Sequence, residues 1–170
     1  MTYREWLASV PKEITQDVLW RMEVYRLSLF SGDLAWHDAT RLMQDRRTLK
    51  LSDQLYSAVG SISANIAEGY SRGSHKDQAR FCEYALGPAR EARNWHFEGR
   101  HILAEPVSTH RISLLTQIVR HLLNVTPAER GYAMKEESLP CFMVPGNSDV
   151  EVLLINVPMP ETALDATRNT

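Results

Sequence analysis

The chain has 170 residues, 44% hydrophobic and 24% charged, with a formal net charge of −2. That balance fits one soluble globular domain long enough to bury a core, and it excludes a protein that binds polyanions through its bulk charge. The two cysteines, Cys82 and Cys141, match no metal-ligand spacing or disulfide framework and are expected as thiols in a reducing compartment. The start of the chain carries no apolar run of signal length, and no stretch approaches the length of a membrane span, so a cytoplasmic protein is expected.

Charge is uneven. Residues 1–40 hold four basic and six acidic residues, residues 41–121 twelve and eight, and residues 122–170 three and seven. A mildly basic middle thus lies between acidic ends.

Helical spacing dominates the first three quarters. Val18, Met22, Tyr25, Leu29, Gly32, Trp36, Ala39 and Met43 step by four and three, as a bundle seam does. Gly32 and Asp33 interrupt that seam, and a bend or close contact is expected there. A second helix is expected from about Leu51 to Tyr70, with the apolar stripe Leu51, Leu55, Val59, Ile62 and Ile66 and a stop at Gly69. Ser74 is the expected N-cap of a third helix, from about His75 to Leu103. Its seam is Phe81, Ala85, Pro88, Ala92, Trp95, Gly99 and Ile102, and Pro88 is expected to kink a continuous helix, with two separate helices as the alternative. Ile112, Leu115, Val119 and Leu122 mark a fourth helix, from about Val107 to Val125, ending near Pro127. Short connections make sequential helices antiparallel neighbours, so the expected fold class is all-α, an up-down-up-down four-helix bundle.

The expected organisation is an N-terminal arm over residues 1–12, the bundle over 13–127, and a Pro-containing tail over 128–170. The tail reads either as a short β-hairpin, "CFMV" and "DVEVLLINV" around "PGNS", or as disordered chain.

The second helix has an unusual surface. From Gln54 to Ala67 it carries no charged side chain. On a wheel of about 100° per residue, Gly60, Ala64 and Ala67 form a small-residue side, and Ser57, Ser61, Asn65 and Glu68 form a short polar side. Lys and Glu are the common exposed helix formers, so this composition suits a helix enclosed by its own bundle on one side and another chain on the other. Arg72, at i+4, is the natural partner of Glu68.

The run "VGSISANIAEGYSRGSHKDQARFCEYALGPARE", residues 59–91, resembles the signature of the four-helix-bundle family of 23S rRNA-intervening-sequence proteins. Ser61, Ile62, Asn65, Ile66, Ala67, Glu68 and Gly69 match the core motif, and Arg72, Phe81, Gly87 and Glu91 match the positions that follow. Pro88 departs from it, where the family usually has Ser. The resemblance covers roughly residues 17–127. It implies a ring-like homopentamer with no catalytic activity, similar to the accessory variability protein of diversity-generating retroelements, which binds a reverse transcriptase and its RNA. On this reading Ser57, Ser61, Ala64, Asn65, Glu68 and Gly69 form the oligomer interface or motif.

Arg72, Lys76 and Arg80, followed by Arg90, Arg93 and Arg100, are the candidate RNA- or DNA-binding residues. In a ring each cation repeats, and the repeats could hold a phosphate backbone without reading bases. Asp77, Glu83, Glu91 and Glu98 are interleaved, which also suits ordinary helical ion pairing. Arg90 and His96 have a spacing used by some all-helical ribonucleases, in which Arg holds phosphate and His moves a proton, although they lie about 120° apart on an ideal helix. The six histidines are scattered, so no metal or other cofactor is expected. The expected function is therefore non-enzymatic: an oligomeric scaffold or accessory protein, with a purely structural oligomer as the alternative.

Overall fold

The computed structural model describes residues 2–130 and 147–161. Its helices are α1 (Tyr3–Ser9), α2 (Lys12–Thr15), α3 (Glu23–Leu42), α4 (Leu49–Tyr70), α5 (His75–Glu98), α6 (Arg100–Leu103), α7 (Glu105–Arg130) and α8 (Asn147–Ile155), with a 3-10 turn at Val18–Arg21. The fold is all-α, and no strand occurs among the described residues.

Four long helices, α3, α4, α5 and α7, form the body, with α7 packing on both α5 and α3. Contacts along the helices fix their directions. Glu23 lies 3.9 Å from His121 and Asp38 lies 2.8 Å from Arg111, so α3 and α7 run antiparallel. Asp38 also meets His96, and Leu42 lies beside Gly99, so α3 and α5 run the same way. The core between them is built from Leu27, Phe30, Leu34, Leu55, Ile62 and Ile118, all without exposed surface.

The face that α3 buries overlaps the expected seam only in part: Ala39 is buried, and Tyr25 and Leu29 pack against the core from its edge. Its inward residues are Val24, Leu27, Phe30, Leu34, Asp38 and Leu42, whereas Val18 precedes the helix and Trp36 and Met43 are 61% and 58% exposed. Three polar residues, Ser28, Ser31 and Asp38, interrupt the buried side, so the stripe of larger apolar residues on the other side looks like the seam. The Ser28 and Ser31 hydroxyls donate to the carbonyls of Tyr25 and Ser28, each at 2.8 Å, which lets them sit in the core. Nor does Gly32 interrupt α3; a Cβ placed there meets nothing within 4 Å.

On α4 the expected stripe is buried at Leu55, Val59, Ile62 and Ile66. Gly69 is not a left-handed stop. It lies inside the helix, and a Cβ there would fall 2.6 Å from Phe81 Cβ and 3.3 Å from the Gln78 carbonyl oxygen. Glycine is required because α4 and α5 touch backbone to side chain at this point.

Ser74 caps α5, its hydroxyl accepting from the Asp77 amide at 3.1 Å. The helix continues through Pro88 and ends at Glu98, short of the expected Leu103; Gly99 separates it from α6. α7 runs past Pro127 to Arg130, because a proline in the last turns of an established helix forfeits one hydrogen bond and leaves the rest.

The run expected as the second hairpin strand is helical through Ile155, and the first strand lies outside the described residues. Leu154, Val157 and Met159 pack against the core. At the other end of the chain, Trp6 of α1 is buried among Tyr3, Trp20 and Phe30.

Gly69→Ala tests the α4–α5 contact. The added methyl group overlaps Phe81, so unfolding in urea should show a loss of about 1–3 kcal/mol with unchanged m-value. A neutral or stabilising result would mean the helices are farther apart than described.

Candidate functional site

Two kinds of feature stand out: a buried ion cluster and two exposed surfaces. The cluster forms where α3, α5 and α7 meet. Arg111 grips the Asp38 carboxylate with two prongs, Nε to Oδ2 at 2.8 Å and Nη2 to Oδ1 at 3.2 Å. His96 Nε2 lies 3.2 Å from the same Oδ2, and its Nδ1 lies 2.9 Å from the Ala92 carbonyl oxygen. The side chains of Asp38, His96 and Arg111 are 0%, 3% and 2% exposed.

The third prong of Arg111, Nη1, donates to His110 Nδ1 at 2.9 Å. His110 Nε2 then donates to the Leu153 carbonyl on α8 at 2.7 Å. The chemistry of the neighbours sets this tautomer: guanidinium can only donate and a carbonyl can only accept. The cluster therefore ties four helices together.

Burial pushes the Asp38 carboxyl up, but the His96 hydrogen bond and the charge and hydrogen bonds of Arg111 outweigh it, so the group titrates below the usual carboxylate range. His110 is pushed below the ordinary histidine value, first by burial and then by the Arg111 charge, against the opposing Leu153 bond. None of Asp38, Arg111 or His110 stands out in the sequence as a site residue. The available signal was a charged residue at an inward helical position, and on α3 that position was assigned to the wrong face.

His96 is sealed in this cluster, while Arg90 is exposed on the far side of α5. The two do not meet on a common surface, so the ribonuclease arrangement read from their spacing does not form.

The first exposed surface lies along α3 and α4. Trp36 and Tyr56 meet edge-on, with centroids 6.0 Å apart and both rings largely exposed. They border a cleft of about 330 Å³ with Leu29, Gly32, Gly60 and Ser63. A Cβ added at Gly32 or Gly60 would meet nothing within 4 Å, so packing within the chain does not require glycine at either place. An adjoining hollow of about 240 Å³ is lined by Met43 and Ser57, among others.

The sequence-derived interface residues on α4 divide. Ser57 and Ala64 are exposed, Ser61 and Asn65 half-buried, and Gly69 is taken up by Phe81. Ser61 Oγ donates to the Ser57 carbonyl at 2.8 Å and Asn65 Nδ2 to the Ser61 carbonyl at 2.7 Å. The Ser61 hydroxyl and one of the two Asn65 N–H groups thus bond within their own helix. Glu68 is exposed in the single chain, not buried, and pairs with Arg72 as expected.

The second surface is the outside of α5 and its entry. Arg72 sits 5.0 Å over the Phe81 ring and Arg80 5.4 Å over Tyr84. Arg100 lies 4.0 Å over Phe97 and donates to the Phe97 carbonyl at 2.7 Å. Lys76 and Arg90 are exposed, and Arg93 is half-buried. The six cations do not form one stripe. At about 100° per residue, Arg93 lies roughly 140° around the helix from Arg80, on the α7 side.

The family model of the 23S rRNA-intervening sequence protein matches residues 21–124. The chain belongs to this family. Neither a curated relative nor a solved structure matches it. The matched span runs from the start of α3 into α7, including the ion cluster, and leaves out α1, α2 and α8. Among the described residues no group of His, Cys, Asp and Glu gathers to hold a metal, and no helix is long and apolar enough to cross a membrane.

Acidification should weaken this family member in two steps. A histidine whose folded value is depressed stabilises the fold above its unfolded value, near 6.5, and loses that contribution as pH falls toward the folded value. Asp38 follows at lower pH, its contribution present above about 4 and lost as pH falls through its depressed value. Urea midpoints should therefore fall between pH 7 and pH 5, and His110→Gln, which can still donate to Leu153 but does not titrate, should flatten that slope. Equal slopes would contradict the assignment.

Proposed function

We propose that this protein is a non-enzymatic scaffold or accessory protein that assembles from copies of itself and contacts RNA or DNA, or an enzyme that acts on them, through the α5 surface. The observation that carries the reading is the pair Trp36 and Tyr56, exposed beside the uncharged face of α4. Two large aromatic side chains exposed against each other are apolar surface of the kind that marks an interaction site. Gly32 and Gly60 cost helix stability and have no internal packing need, which suits a place where another backbone comes close. The Ser61 hydroxyl and one Asn65 N–H are already bonded within the helix, which leaves the other Asn65 N–H and its carbonyl oxygen to bond a partner.

The resemblance to pentameric bundles makes a fivefold ring the favoured assembly. In such a ring Arg72, Lys76, Arg80, Arg90, Arg93 and Arg100 repeat around the axis, and salt-dependent phosphate contact follows. A reverse transcriptase is the partner class that the resemblance suggests. The purely structural oligomer stays as a second reading because Glu68 pairs with Arg72 and acidic residues interleave the α5 cations.

Sedimentation tests the assembly. The wild-type chain should run as a multimer at micromolar concentration. Trp36→Glu should weaken association by roughly 2 kcal/mol or more per contact and shift the mass toward the monomer. Gly60→Ala should stabilise the isolated chain by up to about 1 kcal/mol while weakening assembly. A wild-type monomer, or variants that assemble unchanged, would remove this reading.

A further inference from the structure

We infer that the cleft between α5 and α7 around Phe97 is a binding site for an unpaired guanosine nucleotide, met as part of a single strand. The inference rests on the proposed nucleic-acid role of the α5 surface and assigns that surface a specific ligand. The cleft holds about 320 Å³ and is lined by Arg93, Asn94, Phe97, Glu98 and Ile112. That volume is at the lower end of the range for small-ligand sites, about 300–1,000 Å³.

Each lining residue supplies a different part of nucleotide recognition. Arg93 and Phe97 are four apart, as are Asn94 and Glu98, so the segment "RNWHFE" presents two parallel rows. One row pairs a cation with an aromatic ring; the other pairs an amide with a carboxylate. Phe97 is 55% exposed, and Ile112 closes the cleft from α7. Arg100 is centred 4.0 Å over the ring and takes one of its faces, where its bond to the Phe97 carbonyl fixes it. With Phe97 55% exposed, the face that Arg100 leaves open is the one offered to a base, and stacking on an aromatic side chain is the sequence-tolerant part of single-strand binding.

The carboxylate supplies the selectivity. An ionised Glu accepts and cannot donate. Guanine alone among the RNA bases presents two adjacent donors, N1–H and the N2 amino group, to such a partner. Uracil offers a single donor, N3–H, flanked by two carbonyl oxygens that repel the second carboxylate oxygen, and adenine and cytosine offer one amino group beside an acceptor nitrogen. The Asn94 amide can donate to guanine O6 or N7. Arg93 and the exposed Arg90 then meet phosphate, and Arg100 extends the basic surface beyond the cleft. A duplex hides the base faces and Watson–Crick edges that these groups would read, so the site takes unpaired nucleotides.

Fluorescence anisotropy with a labelled nine-nucleotide RNA carrying one central G in a U background tests the assignment. The all-U strand, the same G strand annealed into a duplex, and unlabelled 5′-GMP as competitor are its comparison arms. The single strand with G should bind at least tenfold tighter than the all-U strand and the duplex. Phe97→Ala and Glu98→Gln should each reduce its affinity about tenfold, with unchanged helical circular dichroism, and Phe97→Trp should keep it. Tyr84→Ala, at an Arg–aromatic pair outside the cleft, should leave the preference intact. Competition by 5′-GMP as strong as by the strand would support the same guanosine chemistry with a free nucleotide as its source. Equal binding of all strands with no effect of Phe97→Ala would overturn the cleft while leaving salt-dependent backbone contact in place. No binding of any strand would overturn both the cleft and the nucleic-acid role.

Discussion

Asp38 has no exposed surface, yet it is a carboxylate, and the bundle is arranged around that fact. A buried charge must be paired and hydrogen-bonded. Arg111 supplies a bidentate grip from α7 and His96 a ring nitrogen from α5, so one side chain on α3 fixes which faces of two other helices turn inward. Replacing such a group by apolar side chains of similar volume is often neutral, whereas removing one partner is costly. The cluster accordingly acts on register more than on gross stability. Leu, Ile and Ala contacts tolerate sliding by a turn, but a forked guanidinium bond does not. The same cluster reaches outward through His110 to the Leu153 carbonyl, which fastens α8 to a bundle whose family match ends before it.

The four long helices were legible in the sequence because apolar residues recur with a helical period in each, and α4 shows its buried stripe plainly. Ser74 was legible as a cap because its hydroxyl precedes an amphipathic run. The buried face of α3 was not. That helix has apolar side chains on two sides, and the larger ones, Trp36 and Met43, face outward. Ser28, Ser31 and Asp38 disguise the inner side, and their compatibility with burial depends on backbone carbonyls and on residues some 60 or 70 positions away. No local pattern carries that information. The segment near Val150 reads as strand because Val, Leu and Ile are abundant there, and tertiary packing on α7 overrides that preference. Of the candidate site, the uncharged character of α4 was visible, but its aromatic neighbour across the groove was assigned to the core.

Misplacing the α3 seam has a functional side. Of the stripe with a coiled-coil period, Met22, Tyr25, Leu29 and Ala39 are covered in whole or part by the chain's own helices, whereas Trp36 and Met43 stay exposed. These two side chains stand beside the uncharged, small-residue face of α4, while the cations lie on α5 and at its entry. On the proposed reading the two roles use different helices, so copies can gather through α3 and α4 while the α5 surface and the cleft at Phe97 stay accessible. The Arg–aromatic pairs at Phe81, Tyr84 and Phe97 keep cations close to ring surfaces instead of leaving them fully to solvent.

A double-mutant cycle on Asp38→Asn and Arg111→Met, read by urea unfolding, tests the central claim most directly. The single variants should each lose about 3–5 kcal/mol, because each strands a buried partner. The double variant should lose much less than their sum, with a coupling of roughly 2 kcal/mol or more. Additive losses, with no coupling between the two positions, would contradict the claim that this ion pair organises the bundle.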